Sequence, residues 1–108
     1  MVIDKPEHCE LCGRQMEALT RHHLIPRMRH RNRRTQRQFD RDERTSRILW
    51  VCRPCHNHIH AVFSEKELAA QYNTRERLSA HHEIARFINW IANKPPGFKP
   101  QSRRMKRE

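Results

Sequence analysis

Two pairs of cysteines constrain the fold of this chain more than any other feature of its sequence. They lie in the stretches CELC, residues 9–12, and CRPC, residues 52–55, with two residues inside each pair. Two such pairs have the ligand spacing of a tetrahedral zinc site, in which each pair forms a tight turn that directs two thiolates at one ion. We therefore expect a structural zinc bound by Cys9, Cys12, Cys52 and Cys55.

Two disulfide bonds are the alternative use of these cysteines. The first eight residues, MVIDKPEH, are short and polar and do not resemble a secretion signal. Disulfides persist mainly in oxidising compartments, so we expect a cytoplasmic protein with zinc-bound thiolates. The chain has 108 residues, of which 35% are hydrophobic and 6% aromatic, which predicts one small domain with a thin core. A domain of this kind usually needs an added cross-link such as a metal ion.

The charge of the chain predicts a polyanionic partner. Lysine and arginine total 23 residues against 12 aspartates and glutamates, which leaves a formal net charge of +11 with histidine neutral. An excess of this size on a small domain is typical of nucleic-acid binding. No apolar run approaches the length of a membrane span, and no basic amphipathic helix favours a membrane surface. We expect no membrane contact, and the oligomeric state stays open.

The order of sequence patterns predicts an α+β domain over residues 9–93. A strand is expected at 18–24 and another at 47–51, the second leading directly into the CRPC pair. Helices are expected at 54–63, at 64–72 after a capping box, and at 74–93. The last helix carries an apolar stripe that should pack on the zinc-bearing unit. Residues 1–8 are expected to be a flexible lead-in and residues 94–108 a mobile basic tail; the stripe consists of Ile84, Phe87, Ile88 and Ile91.

Residues 27–46 are predicted to form a flexible basic loop. The stretch RMRHRNRRTQR, residues 27–37, has too few apolar side chains to bury a helix face. Arginine offers a planar donor group that matches phosphate, and such loops often become ordered on a nucleic acid. The predicted nucleic-acid contacts are Arg27, Arg29, Arg31, Arg33, Arg34, Arg37 and, just after the loop, Arg47.

The histidines are grouped in a way that predicts a second metal site. His22 and His23 close the first predicted strand, and His56 and His60 lie four residues apart on the helix after the second cysteine pair. Residues with this spacing project about 40° apart on a helix, whereas His58 should point away at about 200°. A strand end folded against this helix would bring His22, His56 and His60 together and leave coordination positions open. No role is expected for His8, His30, His81 and His82.

The stretches CELCG, LTRHHLIPR and VCRPCHNHIH together resemble the HNH endonuclease family, in its cysteine-containing ββα-metal, treble-clef form. The resemblance covers about residues 9–63, and residues 63–91 are similar to the C-terminal extension of a small bacterial and phage-like subgroup. The family motif is not contiguous, so the letters HNH at 56–58 are mostly coincidence. The resemblance implies a small zinc-stapled ββα-metal domain with additional C-terminal helices. It also implies a metal-dependent endonuclease that acts on nucleic acid, with DNA as the expected substrate.

The resemblance also implies a role for each histidine of the group. His22 binds the catalytic metal, and His23 is the general base that activates water. His56 completes the metal site, and His60 supplies the extra ligand found in some members, such as the colicin-type nucleases. The catalytic ion would be a divalent metal such as Mg²⁺, Mn²⁺, Ni²⁺ or Zn²⁺, whereas the cysteine-bound zinc is structural.

The chain departs from the family pattern at one position. The family usually has an asparagine a few residues before the second cysteine pair, where it braces the loop that aims the base. That position falls near Arg47 here. Either another polar group or Asn57 takes over the bracing, or the base is held less firmly. In the last case the rate of hydrolysis is lower. The alternative functions are a non-catalytic zinc-stabilised nucleic-acid-binding module and a protein-interaction adaptor that docks through the last helix.

Overall fold

Two short strands and six α-helices form the part of the chain that the computed structural model describes, residues 5–16 and 18–100. The strands are β1 and β2, and a single 3₁₀ turn at Arg27–Arg29 precedes the first α-helix. The predicted α+β class is confirmed. In chain order the elements are β1 (Thr20–His23), α1 (Arg33–Gln38), α2 (Arg41–Ser46), β2 (Ile48–Val51), α3 (Arg53–Val62), α4 (Glu65–Ala70), α5 (Arg75–Ala80) and α6 (His82–Ile91).

β1 and β2 form an antiparallel pair, in which Thr20 lies opposite Val51 and His23 opposite Ile48. Both strands are four residues long, so they occupy the predicted places with slightly shorter bounds. Alternate side chains of a strand point to opposite faces. Thr20 and His22 therefore share one face of β1, which is the face that α3 packs against.

α3 begins directly at the second cysteine pair. Cys52 is its N-cap residue, and Pro54 lies in its first turn, where a missing backbone N–H has no helical partner to lose. Cys55 and Ile59 are buried on one side of the helix. The predicted helix at 54–63 is confirmed within one residue at each end, and its buried side determines which face meets the sheet.

The prediction of an irregular loop at 27–46 is wrong, because α1 and α2 lie inside it. The Asn32 side chain caps α1 by accepting from the Thr35 N–H at 3.1 Å, and Asp40 with Glu43 forms a capping box on α2. Such local caps stabilise a short helix by about 1 kcal/mol each. Phe39, between the two helices, is buried and belongs to a small second core, which consists of Ile25, Phe39 and Ala69.

The single helix predicted at 74–93 is instead two helices, α5 and α6, which are separated at His81. The backbone of His81 is extended, with φ −73° and ψ 133°, and its side chain caps α6 by accepting from the Glu83 N–H at 3.2 Å. The ring of His81 contacts Phe63 and Tyr72, with centroid separations of 4.9 and 5.4 Å. His81 thus has a structural role that the sequence did not predict.

α4 follows the prediction at its start, since Ser64 and Glu67 form the expected capping box. The Thr74 hydroxyl caps α5. α6 packs against α3 and α5, and its predicted stripe contributes Ile84 and Ile91 to the main core. Phe87 and Ile88 are partly buried beside that core.

The chain ends follow the predicted boundaries only in part. Phe98 packs against the main core, and Arg14 donates to the Pro95 carbonyl at 2.8 Å, so the start of the predicted mobile tail is attached to the domain. Residues 1–4 of the predicted lead-in and residues 101–108 of the tail lie outside the described residues. Every helix in the described residues is too short or too polar to cross a lipid bilayer.

Candidate metal centres

The four cysteines come together in one buried cluster. Their sulfur atoms all lie within 4.8 Å of one another, and all four thiols are free of disulfides. The Sγ atoms of Cys12 and Cys52 are 3.9 Å apart. Tetrahedral zinc with bonds of about 2.3 Å places two sulfurs about 3.8 Å apart, so the spacing suits a zinc ion. The disulfide alternative is not formed, and the cluster is compatible with zinc binding.

Backbone donors surround the sulfur of Cys9. The N–H groups of Leu11, Cys12 and Cys52 each point to Cys9 Sγ at 3.4 Å. The turn closes at Gly13, whose φ of 81° is a conformation that residues with a Cβ rarely adopt. N–H donors stabilise a thiolate more than a thiol, so the turn favours the form that binds metal.

Arg14 is a buried cation beside the cysteine cluster. Its Nε lies 3.5 Å from Cys12 Sγ and one terminal nitrogen lies 3.5 Å from Cys52 Sγ. Hydrogen bonds from the neighbouring thiols, chiefly Cys52, lower the pKa of Cys12 well below its usual value, and Arg14 adds to the lowering. Four thiolates around a divalent ion would carry a net negative charge, which this guanidinium would offset. The remaining donor contacts the carbonyl of Pro95, so Arg14 connects the cluster to the segment after α6.

Three histidines form a second cluster on the side of α3 that faces β1. Their candidate ligand nitrogens lie within 4.8 Å of one another. The ring centroid of His22 is 5.3 Å from that of His56 and 5.3 Å from that of His60. The centroids of His56 and His60 are 5.1 Å apart, as the four-residue spacing on a helix predicts. The predicted convergence of these three rings is therefore present.

His22 lacks a polar partner at the centre of this cluster. The residue is fully buried, and neither of its ring nitrogens has a hydrogen-bond partner within the described part of the chain. Burial, followed by the proximity of His56 and His60, lowers the pKa of His22 to about 3. Buried polar atoms are nearly always paired, and each unpaired one costs about 1–3 kcal/mol. A cation between the three rings would give one of these nitrogens its partner.

His56 and His60 line the more accessible side of the cluster. Burial, followed by His60 and Arg53, lowers the pKa of His56 to about 4, so its ring is neutral near pH 7. Nδ1 of His56 lies 2.8 Å from the Thr20 hydroxyl, which leaves Nε2 as its candidate ligand atom. Nδ1 of His60 lies 3.8 Å from a carboxylate oxygen of Glu65. A neutral imidazole such as that of His56 is the form that binds a divalent metal.

His23 lies next to the cluster but on the other face of β1. It is half-buried at the end of the strand. Burial, followed by the charges of Arg27 and Arg21, lowers the pKa of His23 below its usual value. The ring is therefore largely neutral at pH 7, which is the form that accepts a proton.

The position of the expected asparagine is occupied by an arginine that is held within the domain. Arg47 contacts the Glu43 carboxylate and the Asn73 carbonyl, each at 3.3 Å, and its guanidinium lies 4.9 Å from the Phe39 ring centroid. These contacts leave Arg47 less available to a nucleic acid than predicted. Its backbone carbonyl accepts from the Leu24 N–H at 3.0 Å, directly after His23, so the backbone itself attaches this loop to β2. Asn57, the other bracing residue considered, is exposed on α3.

The remaining predicted arginines lie on or before α1. Arg33, Arg34 and Arg37 are exposed and project within an arc of about 100°, on the side of the helix opposite the buried Thr35. Arg27 and Arg31 are exposed as well, and Arg29 is half-buried. α1 therefore presents three cations on one solvent-facing side, which an irregular loop would not do.

Sequence reasoning missed three residues that build these centres: Glu10, Arg14 and Thr20. A Glu10 carboxylate oxygen accepts from the Trp50 N–H at 2.8 Å, which attaches the first cysteine turn to β2. Thr20 lies two residues before His22, so strand alternation was the signal that would have placed both on one face. His58, expected to point away from the cluster, stacks on Phe87 at 4.1 Å.

Comparison with known proteins shows that the chain is similar to a bacterial protein. The chain is 37% identical over 91 residues to a protein of Bacillus subtilis (strain 168), the uncharacterized protein YisB. The matched region covers 82% of this chain and 76% of YisB. No protein-family model matches the chain. No solved structure matches it either.

Proposed function

This chain belongs to the same family as the Bacillus subtilis protein YisB, and we propose that it is a metal-dependent endonuclease of the HNH type. It would hydrolyse phosphodiester bonds in nucleic acid, with DNA as the expected substrate. The observation that supports this most is the buried His22 ring, which has two unpaired nitrogens and faces the rings of His56 and His60. In this proposal β1, β2 and α3 form the ββα-metal, treble-clef-like unit, and the four cysteines hold its structural zinc.

The histidine cluster suits a catalytic ion better than a structural one. Three imidazoles leave at least one coordination position for water or substrate, whereas four cysteines fill a tetrahedral ion completely. His60 is exposed, so the centre is open to solvent on that side. Imidazole ligands accept several divalent metals, and Mg²⁺, Mn²⁺, Ni²⁺ and Zn²⁺ are the ions to test.

The chain's own groups divide the proposed hydrolysis between them. A divalent ion held by His22, His56 and His60 would polarise the scissile phosphate and stabilise the leaving oxygen. His23 accepts a proton from water, whose oxygen then forms a bond to phosphorus as the bond to the 3′ oxygen breaks. The products are a 5′ phosphate and a 3′ hydroxyl, the latter protonated from solvent. The lowered pKa of His23 keeps it neutral and able to act as the base at pH 7.

A non-catalytic nucleic-acid-binding module is the second candidate, and the residue at position 47 favours it. An arginine stands where the family's bracing asparagine is expected, and its side chain contacts Glu43 and Asn73 rather than the loop after His23. The charge and the cysteine cluster suit both candidates equally. The three converging imidazoles favour the enzyme, because a binding module needs no second metal site.

We expect two classes of metal ion per chain and metal-dependent nicking. Purified protein should contain one tightly held zinc, and it should bind a second divalent ion that dialysis removes. Supercoiled plasmid should be nicked only when the second ion is present, because the water and phosphate chemistry depends on it. Metal analysis and gel assays with Mg²⁺, Mn²⁺, Ni²⁺ and Zn²⁺ measure both properties. A single tightly held zinc without a second ion, together with no nicking in the presence of any of the four metals, would contradict the proposed endonuclease activity.

Binding to DNA should depend steeply on salt. Six arginines between residues 27 and 37 remain available after Arg47 is set aside. If each neutralises one phosphate, the logarithm of the binding constant should fall with the logarithm of salt concentration at a slope of about −5. Replacing Arg33, Arg34 and Arg37 with glutamine should reduce the slope by about 3, as fluorescence anisotropy would measure.

The matched control removes the same charge elsewhere. Arg75, Arg77 and Arg86 are exposed on α5 and α6, which pack mainly against each other and α3. Their replacement with glutamine should change the slope by less than about 1, since they contact no phosphate in this proposal. An equal loss in both triple variants would mean that net charge alone drives binding and that α1 is not the contact surface.

A further inference from the structure

We propose that Thr20 is a positioning residue that sets the tautomer of His56. Its hydroxyl would hold the His56 proton on Nδ1 and so leave the Nε2 lone pair facing the space between His22 and His60. The effect of this on metal affinity rests on the proposed function, because it assumes that the three rings share an ion. The tautomer itself does not depend on that assumption.

The Thr20 hydroxyl has one proton and two close polar neighbours, and this determines the tautomer of His56. Thr20 Oγ1 lies 2.9 Å from the Val51 carbonyl oxygen and 2.8 Å from His56 Nδ1. A threonine hydroxyl has one proton to donate and lone pairs to accept with. A carbonyl oxygen can only accept, so the hydroxyl proton points to Val51. The second contact is a hydrogen bond only if Nδ1 of His56 carries the proton and donates to Oγ1.

If the Thr20 hydroxyl instead donated to His56, its contact with the Val51 carbonyl would lack a hydrogen. If Thr20 donated to His56 Nδ1, two oxygens 2.9 Å apart would face each other with no proton between them. Two oxygen lone pairs at that distance repel each other, so this arrangement is disfavoured. A neutral histidine side chain in water prefers its proton on Nε2, so the Thr20 contact holds His56 in its intrinsically less favoured tautomer.

The position of Thr20 connects the two clusters. It shares a strand face with His22, and it pairs in register with Val51, the residue directly before Cys52. A chain of two hydrogen bonds therefore runs from the carbonyl beside the cysteine cluster to the ring of His56. Partners of this kind fix the orientation and the basicity of a metal-binding histidine. The backbone of β2 thus helps to orient a ligand of the second centre through one hydroxyl.

The test compares Thr20→Val with Thr20→Ser in full-length, zinc-loaded protein. Valine has the shape of threonine without the hydroxyl, and serine keeps the hydroxyl. Nitrogen NMR of the imidazoles should show His56 protonated on Nδ1 in the wild type and in Thr20→Ser. In Thr20→Val the proton should move largely to Nε2. Titration with Ni²⁺ should give an affinity about 10–100-fold weaker in Thr20→Val and near the wild-type value in Thr20→Ser.

A control variant separates this effect from a general loss of stability. The Thr45 hydroxyl donates to the Arg41 carbonyl within α2, so Thr45→Val removes a hydroxyl whose hydrogen bonds involve neither cluster. It should leave the His56 tautomer and the Ni²⁺ affinity unchanged. Wild-type protein with His56 protonated on Nε2, or Thr20→Val with an unchanged tautomer, overturns the inference even if the protein is a nuclease. A wild type with the Nδ1 proton but no second ion supports the tautomer and contradicts the proposed function instead.

Discussion

Removing zinc from the proposed four-cysteine site is expected to unfold the domain. The main core is thin and includes the cysteine side chains themselves, and both cysteine turns are attached to β2 or α3. A structural zinc contributes on the order of 10–16 kcal/mol in small zinc-bound folds, whereas a whole domain is commonly stable by only about 5–15 kcal/mol. Circular dichroism during titration with a strong chelator should show loss of helix in proportion to the zinc released.

Metal selectivity is the control for this experiment. Adding zinc back should restore the helical signal, whereas adding Mg²⁺ should not, because Mg²⁺ prefers oxygen ligands over thiolates. A weaker chelator that removes only the exchangeable ion should leave the fold intact, since the histidine cluster is not required to connect the elements. A zinc-free protein that keeps a cooperative thermal transition would contradict the assignment of zinc as the structural cross-link.

Replacing His23 with alanine should remove most of the nicking activity and leave binding intact. Positioned proton transfer contributes about 10²–10⁴-fold to rate, so the rate with saturating metal should fall by that factor. The affinities for DNA and for the second ion should stay within about twofold, because His23 lies on the strand face opposite the His22 ring. Rates of plasmid nicking and anisotropy with uncleaved DNA measure the two properties separately.

His82 offers a matched control for this variant. Its side chain is 80% exposed on α6, so His82→Ala should leave the nicking rate unchanged. The pH dependence gives a second measure: because the pKa of His23 is lowered, the neutral base persists as pH falls and activity should decline only below about 6.5. Equal activity of wild type and His23→Ala would remove His23 as the base. No nicking by either protein, with DNA binding retained, would favour the non-catalytic module.

The cysteine turns and the histidine spacing were predictable because they depend on local geometry. A CxxC pair directs both thiols to one side of a tight turn, and histidines four residues apart on a helix share a face in any fold. The strand and helix places around them followed from short-range patterns and caps. These signals predicted the residues of both clusters but not the distance between His22 and the helix.

Residues 27–46 are a case in which composition alone gave the wrong secondary structure. Their low apolar content predicted a loop, yet Asn32 and Asp40 cap two helices there and Phe39 buries itself against Ile25 and Ala69. This packing of Phe39 stabilises the short capped helices on either side of it, because most helix stability in proteins comes from packing. Similarly, the contacts of His81 with Phe63 and Tyr72 accompany a break in what sequence periodicity predicted as one helix.

By itself the sequence determined which side chains are available as ligands, because ligand chemistry and spacing along a strand or helix are local properties. The tertiary structure alone decided that Arg14 contacts the Cys52 thiol and that Thr20 contacts both Val51 and His56. Those contacts join residues 31 to 38 positions apart in the chain. They exist only once β1, β2 and α3 have packed, so no periodicity or motif along the sequence could reveal them.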